Sequence, residues 1–90
     1  MVLVSLSSCK KFDSGIVQKI DESRLIDQKG LIIGDVESRL LEMGFIEGAK
    51  LQVLHLGALG KDPIAVRINN SNSIIALRKN EASAVLLEKI

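Results

Sequence analysis

Apolar and polar positions alternate most cleanly over residues 63–68, PIAVRI, where Ile64, Val66 and Ile68 fall on one side and Ala65 and Arg67 on the other. A period of two is that of a strand with one buried face. A looser version marks a strand at residues 15–20, GIVQKI, and another at 49–56, AKLQVLHL. In the latter, Leu51 and Val53 are followed by Leu54 and Leu56, which breaks the alternation and predicts a bulge or burial on both faces. NNSN at 69–72 reads as a hairpin turn, since Asn tolerates positive φ and bonds its own backbone, and SIIALR as the return strand. KNEA offers one helical turn, and SAVLLEKI closes the chain as a last strand. GALGKD reads as a glycine-rich loop, with Asp62 before Pro63 as a turn or edge signal. Val2, Leu3, Val4 and Leu6 make a short apolar start, and residues 21–34, DESRLIDQKGLIIG, predict a short strand or hairpin.

One helix is expected over about residues 36–43, with Asp35 as N-cap, Glu37 in the first turn, and Gly44 as the left-handed residue that ends it. At 100° per residue, Val36, Leu40 and Met43 fall within about 60° of one another and form the buried stripe. Phe45 stands where a side chain commonly folds back on the last helical turn. Leu41 is left over, about 140° from Val36. Short strands, tight turns and one small helix predict a mainly β fold, a small partly open β-barrel, because the chain is too short for two full sheets.

Ninety residues make a single domain, 1–90, with one core. Hydrophobic residues are 47% of the chain but aromatics only 2%, so that core must be aliphatic. Twelve Lys and Arg against eleven Asp and Glu give a formal charge of +1 without a like-charge block, which argues against nucleic acid as a partner. The apolar runs are far short of the roughly 20 residues of a membrane helix, so no direct membrane insertion is expected. The single cysteine, Cys9, cannot form an internal disulfide. Its context, VSLSSCK, superficially suggests a lipoprotein cleavage site, but only about seven residues precede SC and none is basic. A cytoplasmic, unmodified thiol is the expectation.

RLLEMGFIEGAKLQVL, ALGKDPIAVRI and IIALRKNEA occur in that order, and together they resemble the ferrous iron transport protein A (FeoA) family. The matching positions are Arg39, Leu40, Glu42, Met43, Gly44, Gly48, Ala58, Leu59, Gly60, Asp62, Pro63, Leu77, Arg78, Glu81 and Ala82. The clear match spans residues 39–90; residues 1–38 diverge, with Cys9 where a glycine is often found and a longer link before the helix. The resemblance implies an SH3-like barrel, cytoplasmic and bacterial. It also implies a role in ferrous iron uptake as an accessory to the iron permease (FeoB), whose cytosolic end carries a GTP-binding domain.

The residues themselves favour a binding module over an enzyme. His55 is the only histidine and Cys9 lies far from it in sequence, so there is no metal-ligand spacing; His55 remains a weak metal candidate, and no cofactor is expected beyond a weak association with Fe2+ or another divalent ion. Without a base near a serine, no nucleophilic triad can be built, and GALGKD lacks the ending of a phosphate-binding loop. Leu41, Phe45 and Leu59 are the apolar side chains that would form a partner surface. Arg39, Arg67 and Arg78 can clamp carboxylates or phosphates. Helical or local pairing, Arg39 with Glu42 and Arg78 with Glu81, competes with such a role. The expected partner-binding residues are therefore Arg39, Leu41, Phe45, Leu59 and Arg78. The alternatives are an activator of the permease GTPase, or a metal-binding sensor or chaperone. Edge strands leave room for a homo-oligomer.

Overall fold

The computed structural model describes residues 2–25, 34–60, 62–69 and 71–90. Strands β1 (Leu3–Ser5), β2 (Ser14–Ile20), β3 (Lys50–Leu59), β4 (Asp62–Ile68), β5 (Ile74–Leu77) and β6 (Val85–Lys89) form one antiparallel sheet in the order β1-β6-β2-β3-β4-β5. Among the described residues the two end strands do not pair with each other, so the sheet is open. Helix α1 (Asp35–Glu42) links β2 to β3, and a second short helix, α2 (Lys79–Ser83), links β5 to β6.

The alternation of β4 is realised as read: Ile64, Val66 and Ile68 are buried while Ala65 and Arg67 are half-buried. The break expected in β3 is a register shift between Val53 and His55. GALGKD is less of a loop than its glycines suggest, because β3 runs to Leu59 and β4 resumes at Asp62. Around one aliphatic core, Leu6, Val17, Leu40, Leu51, Val53, Ile64, Val66, Leu77, Val85 and Leu87 are fully buried. Phe45, the largest of the fully buried side chains, completes it.

Helix α1 buries Val36 and Leu40 and rests Met43 against the core, as its spacing requires. It ends in a double turn: Gly44, at φ 107, donates its N–H to Leu41 O at 3.1 Å, and Phe45 N–H reaches Leu40 O at 3.0 Å. This pairing satisfies two carbonyls that the helix end would orphan, and it turns the Phe45 ring inward.

The start of α1 differs from expectation. Asp35 is the first helical residue rather than the cap; the N-cap is Gly34, at φ 89, which has no side chain to offer. The cap comes from upstream. Glu22, in a 3-10 turn at Glu22–Arg24, accepts N–H bonds from Gly34 at 2.7 Å, Val36 at 3.0 Å and Glu37 at 3.1 Å. A carboxylate at a helix N-terminus satisfies orphan donors and complements the dipole. The strand or hairpin expected over 21–34 is replaced at its start by that 3-10 turn, and its remainder, 26–33, lies outside the described residues.

The bonds from Gly34 N–H, then from Glu37 and Val36, hold the Glu22 carboxyl below its usual range. A carboxylate whose folded pKa is depressed adds stability above its unfolded value, about 4.3, and loses it as pH falls through the folded value. Urea unfolding of Glu22→Gln should therefore show a deficit against wild type at pH 7 that shrinks toward pH 3. A deficit independent of pH would assign the loss to packing instead.

Candidate functional site

The family-like motif positions Arg39, Asp62, Arg78 and Glu81 come from three separate elements and meet in one polar cluster. Arg39 Nη2 pairs with Glu81 Oε2 at 2.7 Å, tying α1 to α2. The other Glu81 oxygen accepts the Arg78 backbone N–H at 3.2 Å, closing the first turn of α2. Asp62, at the start of β4, accepts Lys79 N–H at 3.0 Å and pairs with the Arg78 guanidinium at 3.1 Å. Neither local pairing expected for these arginines occurs through the guanidinium: Arg39 bypasses Glu42, and Arg78 takes Asp62.

The two arginines remain open to solvent, with side chains 60% and 70% exposed. Each exposed pair adds only about 0.2–1 kcal/mol. What the cluster achieves is placement, holding two cations on the surface where α1 and α2 meet.

Leu41 is 43% exposed, on the outer face of α1 where its angle put it. Phe45 does not join it: the ring is 0% exposed and belongs to the core, because the double turn at Gly44 aims it inward. Sequence reasoning gave Phe45 both a folding and a surface role, and only the first has a place in the structure. Leu59 ends β3, and its side chain lies outside the described residues. Ile46, 51% exposed, was missed. The signal for it is the tight turn after the helix, in which Ile46 O accepts Ala49 N–H at 3.0 Å and Ile46 is left outside the core.

His55 lies exposed on β3 opposite Ala65. Among the described residues, no three His, Cys, Asp or Glu side chains gather to hold a metal ion. Cys9 is buried, and burial, followed by the nearby Asp13 charge, pushes its thiol up. It is a protonated core side chain at neutral pH, since reactive thiols need a lowered pKa. No helix among the described residues is long and apolar enough to cross a membrane.

A family model described as "FeoA domain" matches residues 4–89. A crystal structure of an "Iron Uptake Regulatory Protein (FeoA)" superposes with a TM-score of 0.74 at 26% identity, covering all of both chains. The solution structure of FeoA protein from Chlorobium tepidum gives a TM-score of 0.74 at 29% identity, over 97% of this chain and 70% of that one. FeoA from Stenotrophomonas maltophilia, crystallised with zinc and described as a prokaryotic SH3 domain protein, gives 0.72 at 24% identity over 94% and 89% of the two chains. The fold is thus SH3-like. No curated protein matches the chain by sequence.

Proposed function

The chain belongs to the FeoA family, linked to ferrous iron transport, and on that premise we propose that it is a small cytoplasmic accessory of bacterial iron uptake. In this reading it docks on the cytosolic GTP-binding part of the iron permease and regulates transport without catalysing a reaction. The observation that carries the docking reading is the surface at the C-terminal end of α1. Leu41 and Ile46 are solvent-exposed there, and Arg39 and Arg78 stand where α1 meets α2. Exposed apolar anchors and held cations suit an interface in which burial gives affinity and charge gives orientation.

Arg39 and Arg78 are each committed to a carboxylate, which supports a positioning role over that of an arginine lent to phosphoryl transfer.

Calorimetric titration of the purified permease cytosolic domain, with guanosine diphosphate and with a non-hydrolysable triphosphate, tests the proposal. Leu41→Glu should weaken binding by about tenfold or more while leaving folding stability within about 0.5 kcal/mol. Absence of binding in both nucleotide states would overturn it, as would an unchanged affinity of the variant.

A further inference from the structure

Of the three arginines that the sequence singles out, Arg67 is the one whose side chain pairs with no carboxylate among the described residues. The three ion pairs among the described residues join Arg39 to Glu81, Arg78 to Asp62, and Lys89 to Asp13. Arg67 is half-buried on β4, and its Nε–H is shut off from solvent with no acceptor. A buried donor left unsatisfied is costly, and more so on a charged group. The rest of its guanidinium has no carboxylate partner among the described residues.

The surroundings of Arg67 supply the rest of a site. Register places Ser14 on β2 opposite Gln52 on β3, and Gln52 opposite Arg67 on β4, so the three form a row across the outer face of the sheet. Lys50 lies two residues from Gln52 on the same face, while the intervening Leu51 points into the core. Ser14, Lys50, Leu51, Gln52 and Arg67 line a depression of about 130 Å3. No carboxylate lines it. Asp13, next in sequence to Ser14, is already engaged with Lys89 at 3.1 Å and with Lys10 N–H at 2.8 Å. The depression therefore holds two unneutralised cations, a hydroxyl and an amide.

We propose that this depression on the β2–β3–β4 face is a binding site for a single oxyanion group, a carboxylate or a phosphate. The planar fork of Arg67 would take two oxygens of the group through its two Nη groups. Lys50 adds a second charge and Ser14 a hydroxyl donor. The volume lies well below the roughly 300–1,000 Å3 of sites that engulf a drug-sized ligand. It suits one anionic group whose carrier projects outward. The site is built from other residues than the α1 surface proposed above, and it stands or falls independently of that reading.

Nuclear magnetic resonance titration of the whole chain with sodium phosphate, sodium acetate and sodium chloride at matched ionic strength tests it. The expected result is a saturable shift of the Arg67 Nε–Hε signal and of the Ser14, Lys50 and Gln52 amides with phosphate, acetate or both, and none with chloride. Response to acetate as well as phosphate identifies a site for carboxylates too; response to phosphate alone identifies a phosphoryl site. Arg67→Met should abolish saturation, and Lys50→Gln should weaken it about tenfold. Shifts that are linear and equal in all three salts would overturn the proposal, as would saturation unaltered in Arg67→Met. Should Arg67→Met fail to fold, an affinity unchanged in Lys50→Gln overturns it equally.

Discussion

Replacing Phe45 with alanine is expected to cost about 3–5 kcal/mol, the range for emptying a buried phenylalanine site. The side chain is fully enclosed by aliphatic neighbours in a core that holds no other aromatic. Backbone bonds on either side of Gly44 fix its direction, so the surrounding chain has little freedom to collapse into the space. A domain of this length has a total stability of roughly 5–13 kcal/mol. Its melting midpoint moves about 4–8 °C per kcal/mol, so Phe45→Ala should melt lower by roughly 12–40 °C. Phe12, the other aromatic, is 63% exposed, and Phe12→Ala should stay within about 0.5 kcal/mol of wild type. Urea denaturation of both variants checks the contrast. A loss below about 1.5 kcal/mol at Phe45, or equal losses at the two positions, would contradict the assignment of Phe45 to the core.

Gly57→Ala is expected to be comparably severe for a different reason. A Cβ at Gly57 would overlap the Asp62 carbonyl group across the β3–β4 hairpin and come within 2.8 Å of Pro63 N. Both obstacles are backbone, so no rotamer change can relieve the contact. The strands must separate near the register shift between Leu56 and Leu59. That separation would also move the Asp62 side chain, which caps α2 at Lys79 N and holds Arg78. Overpacking commonly costs about 1–3 kcal/mol and occasionally more; with an immovable neighbour, the loss should reach at least about 3 kcal/mol. Lys79 should lose amide-exchange protection along with it. Gly48, at φ 88 with open space around it, is the control; alanine there should cost about 1–2 kcal/mol of backbone strain alone. A Gly57→Ala protein that melts within about 4 °C of wild type would refute the argument.

These two residues show what was legible in the chain and what was not. The position of Phe45 after a helix-ending glycine is a local pattern, and its inward turn follows from it. The alternation of β4, the bulge in β3 and the stripe of α1 each depend on residues within a few positions of one another. Gly57 was read as part of a glycine-rich loop because its real constraint, the Asp62 carbonyl, becomes visible only once the hairpin is closed. Distance along the chain also hid the cap of α1, since Glu22 lies a dozen residues before the first N–H it accepts.

The candidate surface divides in the same way. The outward direction of Leu41 follows from helical geometry. The partners of Arg39 and Arg78 do not, because Glu81 and Asp62 compete successfully with the nearer acids only after α1, β4 and α2 have come together. Ile46 escaped notice because a single apolar residue in a turn carries no period. Arg67 looked like the outer member of an alternating strand, which it is; that its Nε would lack an acceptor depends on its cross-strand neighbours.

The place of β6 in the sheet has a consequence for how the protein is made. β3, β4 and β5 can pair with their sequence neighbours as they appear. β1 and β2 instead flank β6, the last strand of the domain to be synthesised. At about 5–20 residues per second, the interval from the end of β2 to the start of β6 is roughly 3–13 s. Through that interval the nascent sheet holds two early strands that lack their common neighbour. Completion of the core thus waits on a late, non-local insertion, the kind of step that slows folding. A truncation removing β6 would leave both early strands unpaired along that edge, exposing material for aggregation.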